Sequence, residues 1–262
     1  MPQLKSEGIV LRSVNWKENS RIVTFFTDNA GKISIVDRGG RSFKSKRGRL
    51  LTFSRLAIAY FKSEKSGTGY ISESEPLEAF SFERDGTLGR LTFASAALEI
   101  LNDLLAEHEP QEVLYHLTVQ FLRFTDSFPK TSLLPLFLAY FIKLLSYLGY
   151  RPNFAGCVNC NKEREKIIAE NGRGVFSPER GGLICGACQN AGVYYITLQP
   201  ERLELLYRLQ TSSLSEAAEI QLSLRDGEDA METITSFMKY QTGTGDLKSL
   251  AFLEKLKRTQ LR

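Results

Sequence analysis

Four cysteines form two pairs with a spacing that is typical of metal sites. Cys157 and Cys160 make one C-x2-C pair, Cys185 and Cys188 make the other, and 24 residues separate the pairs. Four thiolates can surround one Zn²⁺ tetrahedrally and leave no position open for water or substrate. The pattern therefore predicts a structural zinc ion. Two disulfides or four unused thiols are the alternatives, and both are less typical of paired cysteines in a reducing compartment.

The segment between the two cysteine pairs carries a turn signal. Asn171-Gly172-Arg173-Gly174 separates two short stretches, Lys166–Glu170 and Val175–Ser177. An Asn-Gly dipeptide favours a tight turn between antiparallel strands. We therefore expect a small hairpin between the pairs.

A run of cations occupies residues 38–49, which contain six Lys or Arg, three Gly and no acidic residue. Glycine lets a phosphate backbone approach closely, and cations bind phosphates while counterions are released. The excess of positive charge extends over residues 1–65, which contain 14 Lys and Arg and 5 acidic residues. The rest of the chain contains 20 Lys and Arg and 25 acidic residues. A solvated basic surface is the alternative. The residues predicted to bind nucleic acid are Arg38, Arg41, Lys44, Lys46, Arg47 and Arg49.

Aromatic side chains near this segment could stack on bases, a contact that contributes about 1–3 kcal/mol per base. Packing in the core is the alternative, and it is the more common role of aromatic residues on strands. Phe25 and Phe26 are adjacent, so they point to opposite faces and at most one can meet a ligand. The candidates are Trp16, Phe25, Phe26, Phe43, Tyr60 and Tyr70.

Signatures of catalysis are missing from the sequence. No G-x-x-x-x-G-K-[ST] phosphate loop occurs. The two histidines, His108 and His116, are expected on helix surfaces and have no serine or cysteine motif beside them. Acidic residues do not gather as a two-metal nuclease site requires. We therefore expect no enzymatic activity and no nucleotide cofactor, with a magnesium-dependent nuclease as the alternative.

The elements that position these residues are strands first and helices after them. Five stretches rich in β-branched and aromatic residues, separated by turns, fill the first 75 residues. Such a series favours a small closed barrel, and the OB-fold is the five-stranded barrel that often binds nucleic acid. The predicted strands are Glu7–Val14, Ser20–Asp28, Lys32–Arg38, Leu51–Lys62 and Gly69–Glu75.

From Thr87 onward, apolar residues recur every three or four positions, which predicts helices. The first would bury one face from Leu91 to Leu105, and the second, beginning near Pro110, would bury Val113, Leu117, Phe121 and Phe124. The predicted architecture is α+β, with an OB-fold barrel at 1–80 and a helical domain at 81–262 that contains a zinc-binding insertion at about 154–195. Further helices are predicted at Leu133–Leu148, Pro200–Gln210, Ser215–Leu222, Glu228–Gln241 and Leu247–Lys257.

No membrane segment or export signal is recognisable in the sequence. Residues 1–14 have the pattern of a strand rather than of a secretory leader. The most apolar stretch, Leu133–Leu148, has 16 residues and includes Lys143, whereas a bilayer span needs about 20 apolar residues. We expect a cytoplasmic, nucleoid-associated protein.

Short motifs along the whole chain are similar to those of RecO, a family of bacterial recombination mediators. Each motif is weak alone, but their order over the chain is specific. They are Glu7–Arg12, Thr24–Thr27, Gly31-Lys32, Gly39–Leu51, Leu148–Phe154, Phe176–Pro178, Gly181–Cys185, Leu247–Leu250 and Phe252-Leu253. The resemblance implies an N-terminal OB-fold, a helical body and a zinc site, which this chain keeps with all four cysteines.

The resemblance also implies an activity that needs no ATP. Members of the family bind single- and double-stranded DNA, anneal complementary strands coated by single-strand binding protein, and join RecR to help load RecA. By similarity, the barrel and its basic segment contact DNA, while the C-terminal tail of single-strand binding protein docks on the helical body. An RNA-binding or ribosome-associated factor is the alternative, because OB-folds and four-cysteine zinc ribbons are common there.

An acidic tail that ends in an aromatic residue requires an apolar groove with a cation at its rim. The turn at Phe128–Lys130 and the apolar helix after it offer such residues. The alternative is that this helix forms the core of the body. The predicted docking residues are Lys130, Phe137, Phe141 and Lys143.

Overall fold

Five strands close into a barrel in the N-terminal part of the chain, which confirms the sequence prediction. The computed structural model describes residues 3–40, 50, 52–62 and 69–251. The strands follow one another around the barrel in the order β1-β2-β3-β5-β4, which makes it an OB-fold. Their bounds are β1 Gln3–Trp16, β2 Ser20–Thr27, β3 Gly31–Asp37, β4 Ser54–Phe61 and β5 Gly69–Ala79.

Alternation of side chains along the strands builds the interior of the barrel. Every second residue points inward, as the pleat of a strand requires. The barrel closes where β3 pairs with β5 in parallel, at Ile35 with Gly69 and at Val36 with Tyr70. The core consists of Val10, Val23, Phe25, Ile33, Ile35, Leu50, Leu56, Ile58, Tyr60 and Ile71.

The turn between β2 and β3 needs glycine at its last position. Gly31 has φ +69°, and a Cβ atom there would lie 2.2 Å from the carbonyl oxygen of Glu109. The Thr27 hydroxyl donates a hydrogen bond of 2.8 Å to the carbonyl oxygen of Gly31. The turn lies between the two strands predicted at Ser20–Asp28 and Lys32–Arg38, and its glycine also permits close approach of the chain at Glu109.

Packing divides the chain into two compact units. Unit 1 contains the residues up to Ser127 together with 247–251 at the other end of the described chain, and unit 2 is Phe128–Asp246. The predicted domain boundary at residue 80 stays a prediction. Among the described residues, no helix is long and apolar enough to cross a membrane.

Two helices accompany the barrel in unit 1, α1 at Thr87–Leu104 and α2 at Glu112–Ser127. Phe26 of β2 packs edge-on against Tyr115 of α2, with ring centroids 5.7 Å apart. Of the four side chains predicted to be buried on α2, Phe121 is buried, Leu117 and Phe124 are half-buried, and the prediction is wrong for Val113. Val113 is 59% exposed, and the buried side chains are Leu114, Tyr115, Thr118, Val119, Phe121, Leu122 and Thr125.

Unit 1 also holds the segment that follows residue 246. The Glu99 carboxylate on α1 accepts hydrogen bonds from the backbone N–H groups of Lys248 and Ser249, at 2.9 and 3.0 Å, and from the Ser249 hydroxyl. The chain is helical over 248–251. The rest of the helix predicted at Leu247–Lys257 lies outside the described residues.

Unit 2 contains the remaining helices and a small sheet. Its helix α3 is Leu133–Tyr147, almost as predicted, and nearly all of its side chains are buried. The sheet has the strand order β6-β8-β7-β9 and lies in the region predicted as a zinc-binding insertion. The other elements are β6 Asn153–Cys157, α4 Arg164–Asn171, β7 Gly174–Ser177, β8 Gly182–Leu183, β9 Ile196–Leu198, α5 Pro200–Thr211, α6 Leu214–Ala218 and α7 Leu224–Thr242.

The hairpin predicted between the cysteine pairs is wrong in its first half. The stretch Lys166–Glu170 is not a strand but belongs to helix α4, which ends at Gly172 with φ 65°. The Asn171 side chain donates to the carbonyl oxygen of Ile167, as a residue at a helix end can. An Asn-Gly dipeptide suits a hairpin turn and a helix C-terminus equally, because glycine adopts the left-handed conformation in both.

Phenylalanine packing fixes the sheet to the helices of unit 2. Phe154 of β6 stacks on Phe176 of β7 at a centroid distance of 5.4 Å. Phe176 in turn meets Phe237 of α7 edge-on at 6.0 Å. All three side chains are fully buried, so β7 and the strand that ends at Cys157, β6, are anchored in the core of the unit.

Candidate metal centre and nucleic-acid surface

The first cysteine pair forms a tight turn at the end of β6. Cys157 is the last residue of that strand, and its N–H donates to the carbonyl oxygen of Lys162 at 2.8 Å. Asn161 adopts φ 58°, and its N–H donates back to the carbonyl oxygen of Cys157 at 2.9 Å. This closed turn brings Cys160 back towards the sulfur of Cys157.

The second pair follows β8 and is tied to the first by the backbone. The N–H of Val158, inside the first pair, donates to the carbonyl oxygen of Leu183 at 2.9 Å. Cys185 and Cys188 are joined by a single helical turn in which the Cys188 N–H donates to the Cys185 carbonyl oxygen. The sheet therefore sets the distance between the pairs.

All four sulfur atoms lie within 4.8 Å of one another. The sulfurs of Cys160 and Cys185 are 3.6 Å apart. A disulfide would require about 2.05 Å, whereas a tetrahedral zinc with 2.3 Å bonds separates its sulfurs by about 3.8 Å. The four cysteines are thus positioned to bind one metal ion, as the sequence predicts. Within the described residues, this is the one group of three or more His, Cys, Asp or Glu so arranged.

The pKa values of the thiols also favour binding of a metal cation by this cluster. Burial acts to raise the pKa of Cys157, but hydrogen bonds from backbone N–H groups, first that of Cys185, lower it to about 6. The pKa of Cys188 is raised, first because of its hydrogen bond with the Cys185 thiol. The Cys157 thiol therefore ionises more readily than those of Cys160 and Cys188, whose pKa values are raised. A bound cation would offset the repulsion that opposes ionisation of the others.

The basic segment is only partly within the described residues. Arg38 is exposed at the end of β3, and its guanidinium lies 4.5 Å above the ring of Tyr70. The other five predicted nucleic-acid contacts, Arg41, Lys44, Lys46, Arg47 and Arg49, lie outside the described residues and stay predictions, as does Phe43.

The aromatic candidates separate into interior and surface residues. Phe25, Phe26 and Tyr60 are buried, so none of them can stack on a base and core packing is their role. Trp16 is 39% exposed and Tyr70 is half-buried. The prediction overlooked Phe61, which points outward where its neighbour Tyr60 points inward, although strand alternation could have identified it.

The docking residues predicted on the helical body are two buried phenylalanines and two lysines that keep some exposed surface. Phe137 and Phe141 have no exposed surface and pack on each other at 5.7 Å, so they cannot line an open groove. Their burial favours the alternative, that α3 is the core of unit 2. Lys143 donates to the carbonyl oxygen of Gln210 at 3.0 Å, and burial lowers its pKa. Lys130 lies in a short helical turn before α3.

Histidines take no part in these sites. His116 is exposed on α2, as predicted, whereas His108 lies between the helices with φ 63° and not on a helix surface.

A closed β1-β2-β3-β5-β4 barrel joined to a unit with a four-cysteine cluster defines an OB-fold protein with a candidate metal centre. Two family models match the chain, "Recombination protein O N terminal" over residues 1–80 and "Recombination protein O C terminal" over residues 86–251. The chain therefore belongs to the RecO family of DNA repair proteins.

Individual relatives match over nearly their whole length. The DNA repair protein RecO of Symbiobacterium thermophilum is 32% identical over 254 residues, which cover 96% of both chains. The corresponding protein of Anaeromyxobacter dehalogenans is 30% identical over 250 residues, or 93% of both. That of Bacillus pumilus is 27% identical over 97% of this chain and 94% of the relative. These matches favour DNA repair over the alternative of a ribosome-associated factor.

Proposed function

We propose that this protein binds single- and double-stranded DNA and anneals complementary strands without ATP and without enzymatic activity of its own. In this proposal it works in the cytoplasm, on the nucleoid, and helps to load RecA together with RecR. The observation that carries the proposal is an OB-fold barrel at the basic end of a chain that belongs to a DNA repair family.

Charge explains how such a barrel promotes annealing. Cations at residues 38–49 neutralise the phosphates of two strands and reduce the repulsion between them. Each neutralised phosphate contributes about −0.7 to the log–log salt slope for single strands and about −0.9 for duplex DNA. Binding should therefore weaken steeply as salt is added.

Docking on the C-terminal tail of single-strand binding protein supplies the substrate. A tethered protein meets coated strands at a much higher effective concentration than a free one. We place this contact on unit 2, but not on Phe137 and Phe141, whose side chains are buried.

Zinc is the metal that we propose for the cysteine cluster, held by Cys157, Cys160, Cys185 and Cys188. An all-thiolate shell suits zinc and leaves no open position, so the ion would stabilise the sheet of unit 2 and take no part in chemistry. Metal analysis of the purified chain should find one zinc per molecule, and chelation should lower the melting temperature. A stable, zinc-free protein would contradict this role.

The decisive experiment is annealing of complementary oligonucleotides coated with single-strand binding protein, with no nucleotide added. The full chain should accelerate duplex formation, and labelled DNA incubated with magnesium should remain intact. No acceleration in low salt would overturn the proposal, and magnesium-dependent cleavage would favour a nuclease.

Two variants with equal loss of charge separate the basic segment from general electrostatics. The first replaces Arg41, Lys44, Lys46, Arg47 and Arg49 with Ala and should weaken DNA binding and flatten its salt dependence. The second removes five exposed cations of unit 2 and should leave both nearly unchanged. An unchanged salt slope in the first variant would exclude the segment from the mechanism. The control replaces Lys166, Arg173, Arg180, Arg208 and Arg225.

A further inference from the structure

The basic segment begins beside a buried acidic residue. Asp37, the last residue of β3, is the one acidic residue between Asp28 and Glu64, a stretch of the sequence that contains nine Lys and Arg. Its side chain is 1% exposed. A carboxylate in this stretch opposes the binding of a polyanion by its charge. The contacts of Asp37 show what it contributes instead.

Asp37 faces the interior of the barrel and is paired with Arg21 there. Along β3 it follows Ile33 and Ile35 at steps of two, and both of these belong to the barrel core. Arg21 lies directly opposite on β2, and its Nε is 2.9 Å from Oδ2 of Asp37. Burial of two charges is costly unless they are well paired. The pair is therefore a device that fixes geometry rather than a source of stability.

The Asp37 carboxylate lies against the first residues of the basic segment. A turn over residues 38–40 follows β3. A Cβ atom at Gly40 would lie 1.8 Å from Oδ2 of Asp37, which is the oxygen that accepts the hydrogen bond from Arg21. Arg21 thus fixes the carboxylate, and the carboxylate occupies the space in which any side chain at position 40 would lie.

The basic segment is also anchored where it ends. Leu50 is 3% exposed and belongs to the barrel core. Residues 41–49, which lie outside the described residues, therefore connect two fixed points of the barrel, Gly40 and Leu50. A chain with both ends fixed has fewer arrangements to lose when it binds a ligand.

We infer that Asp37 is a positioning residue for DNA binding: held by Arg21, its carboxylate sets the course of the chain at Gly40 and so presents the cations of the basic segment to phosphates. The inference rests on the proposed function and adds to it an acidic residue that strengthens the binding of a polyanion. Charge alone predicts the opposite, because removal of a negative charge beside the phosphates should strengthen binding. The two accounts therefore differ in the sign of the effect.

Asp37→Asn tests this sign in the full chain, because it keeps the shape of the side chain and removes its charge. The amide oxygen is a weaker acceptor for Arg21 than a carboxylate. The affinity for labelled oligonucleotides, measured by anisotropy in low salt, should fall about 5- to 30-fold, which is the cost of ordering one more residue on binding.

The salt dependence separates positioning from a loss of stability. The log–log salt slope of Asp37→Asn should become shallower, because fewer cations reach phosphates at the same time. A smaller folded fraction would reduce the amplitude of binding but not this slope. Melting followed by circular dichroism shows whether the variant is folded.

Gly40→Ala tests the same contact without changing any charge. Its methyl group would displace the chain from the Asp37 carboxylate, so it should weaken DNA binding and flatten the salt slope as Asp37→Asn does. Two variants are matched controls. Glu73→Gln removes an exposed acidic side chain of β5 and should bind DNA at least as tightly as the parent. Gly245→Ala, where a Cβ atom would meet nothing within 4 Å, should bind like the parent.

Two results would overturn the inference and leave the proposed function intact. One is a folded Asp37→Asn variant that binds DNA as tightly as the parent or more tightly. The other is parental affinity in Gly40→Ala, which also decides the matter if Asp37→Asn does not fold. Failure of the parent chain to bind any oligonucleotide in low salt would instead refute the proposed function.

Discussion

Gly182 lies where the first cysteine pair is held against the second. A Cβ atom there would lie 2.4 Å from Cγ1 of Val158, 2.8 Å from Cβ of Asn153 and 2.9 Å from the Asn153 carbonyl oxygen. Val158 lies within the first pair, and Asn153 begins the strand that ends at Cys157. Because carbon atoms in contact are about 3.5–4.0 Å apart, Gly182→Ala must move β6 from β8 by about 1 Å.

The size of the effect follows from which atoms obstruct the new methyl group. The two atoms of Asn153 belong to the backbone or are fixed to it, so side-chain rotation cannot relieve the overlap. Overpacking of this kind costs about 1–3 kcal/mol. Expressed in metal affinity, that is a loss of about 5- to 150-fold. Expressed in stability, unit 2 should melt about 4–12 °C lower, at roughly 4 °C per kcal/mol for a domain of this size.

Gly186 provides the matched control. It lies within the second cysteine pair, and a Cβ atom there would meet nothing closer than 3.4 Å, at Oδ1 of Asn171. Competition with a chromogenic chelator measures bound zinc, and circular dichroism measures melting. Gly182→Ala should lose affinity and stability while Gly186→Ala keeps both. Adding Val158→Ala to Gly182→Ala should restore part of the loss. If both single variants behave like the parent, the steric reasoning is refuted.

Three further predictions concern packing and charge. Phe176→Ala removes a fully buried ring and should lower the unfolding free energy of unit 2 by about 3–5 kcal/mol in urea titrations; a loss below about 1 kcal/mol would contradict its place in the core. Glu99→Ala removes the acceptor for residues 248 and 249 and should accelerate proteolysis there, as seen by mass spectrometry, with Glu99→Gln intermediate. Burial lowers the pKa of Lys143 from 10.5, so the unfolded chain binds more protons at alkaline pH and stability should rise with pH up to about that value. Lys143→Met should remove this contribution, and identical pH profiles would contradict it.

The barrel could be predicted from the sequence because its strands are local patterns bounded by turn residues. The turn that ends at Gly31 is one such signal. The buried face of α2 could not be fixed, because Val113 and Leu114 are both apolar and only packing decides which of them faces inward. The hairpin prediction at Asn171-Gly172 failed for a related reason, since the same dipeptide ends helices and joins strands.

The candidate sites differ in how far the sequence determines them. The cysteine cluster depends on spacing within the chain, so its four ligands could be named before the structure was known. The surface aromatic side chains of the barrel depend on register between strands that are distant in sequence. Phe61 and Tyr70 stack on each other only because β4 and β5 are brought into register. No spacing rule contains that information.

The junction between β3 and β5 gives the barrel a point at which it can open. Within the part of the chain that the structure describes, two residue pairs join these strands, whereas the other junctions run along most of the strand length. Local opening favours regions with few shared hydrogen bonds, so amide exchange should be fastest beside this junction. Val36 and Tyr70 form one of these two pairs. A ligand that contacts both β3 and β5 would therefore hold this junction closed and make the barrel more rigid.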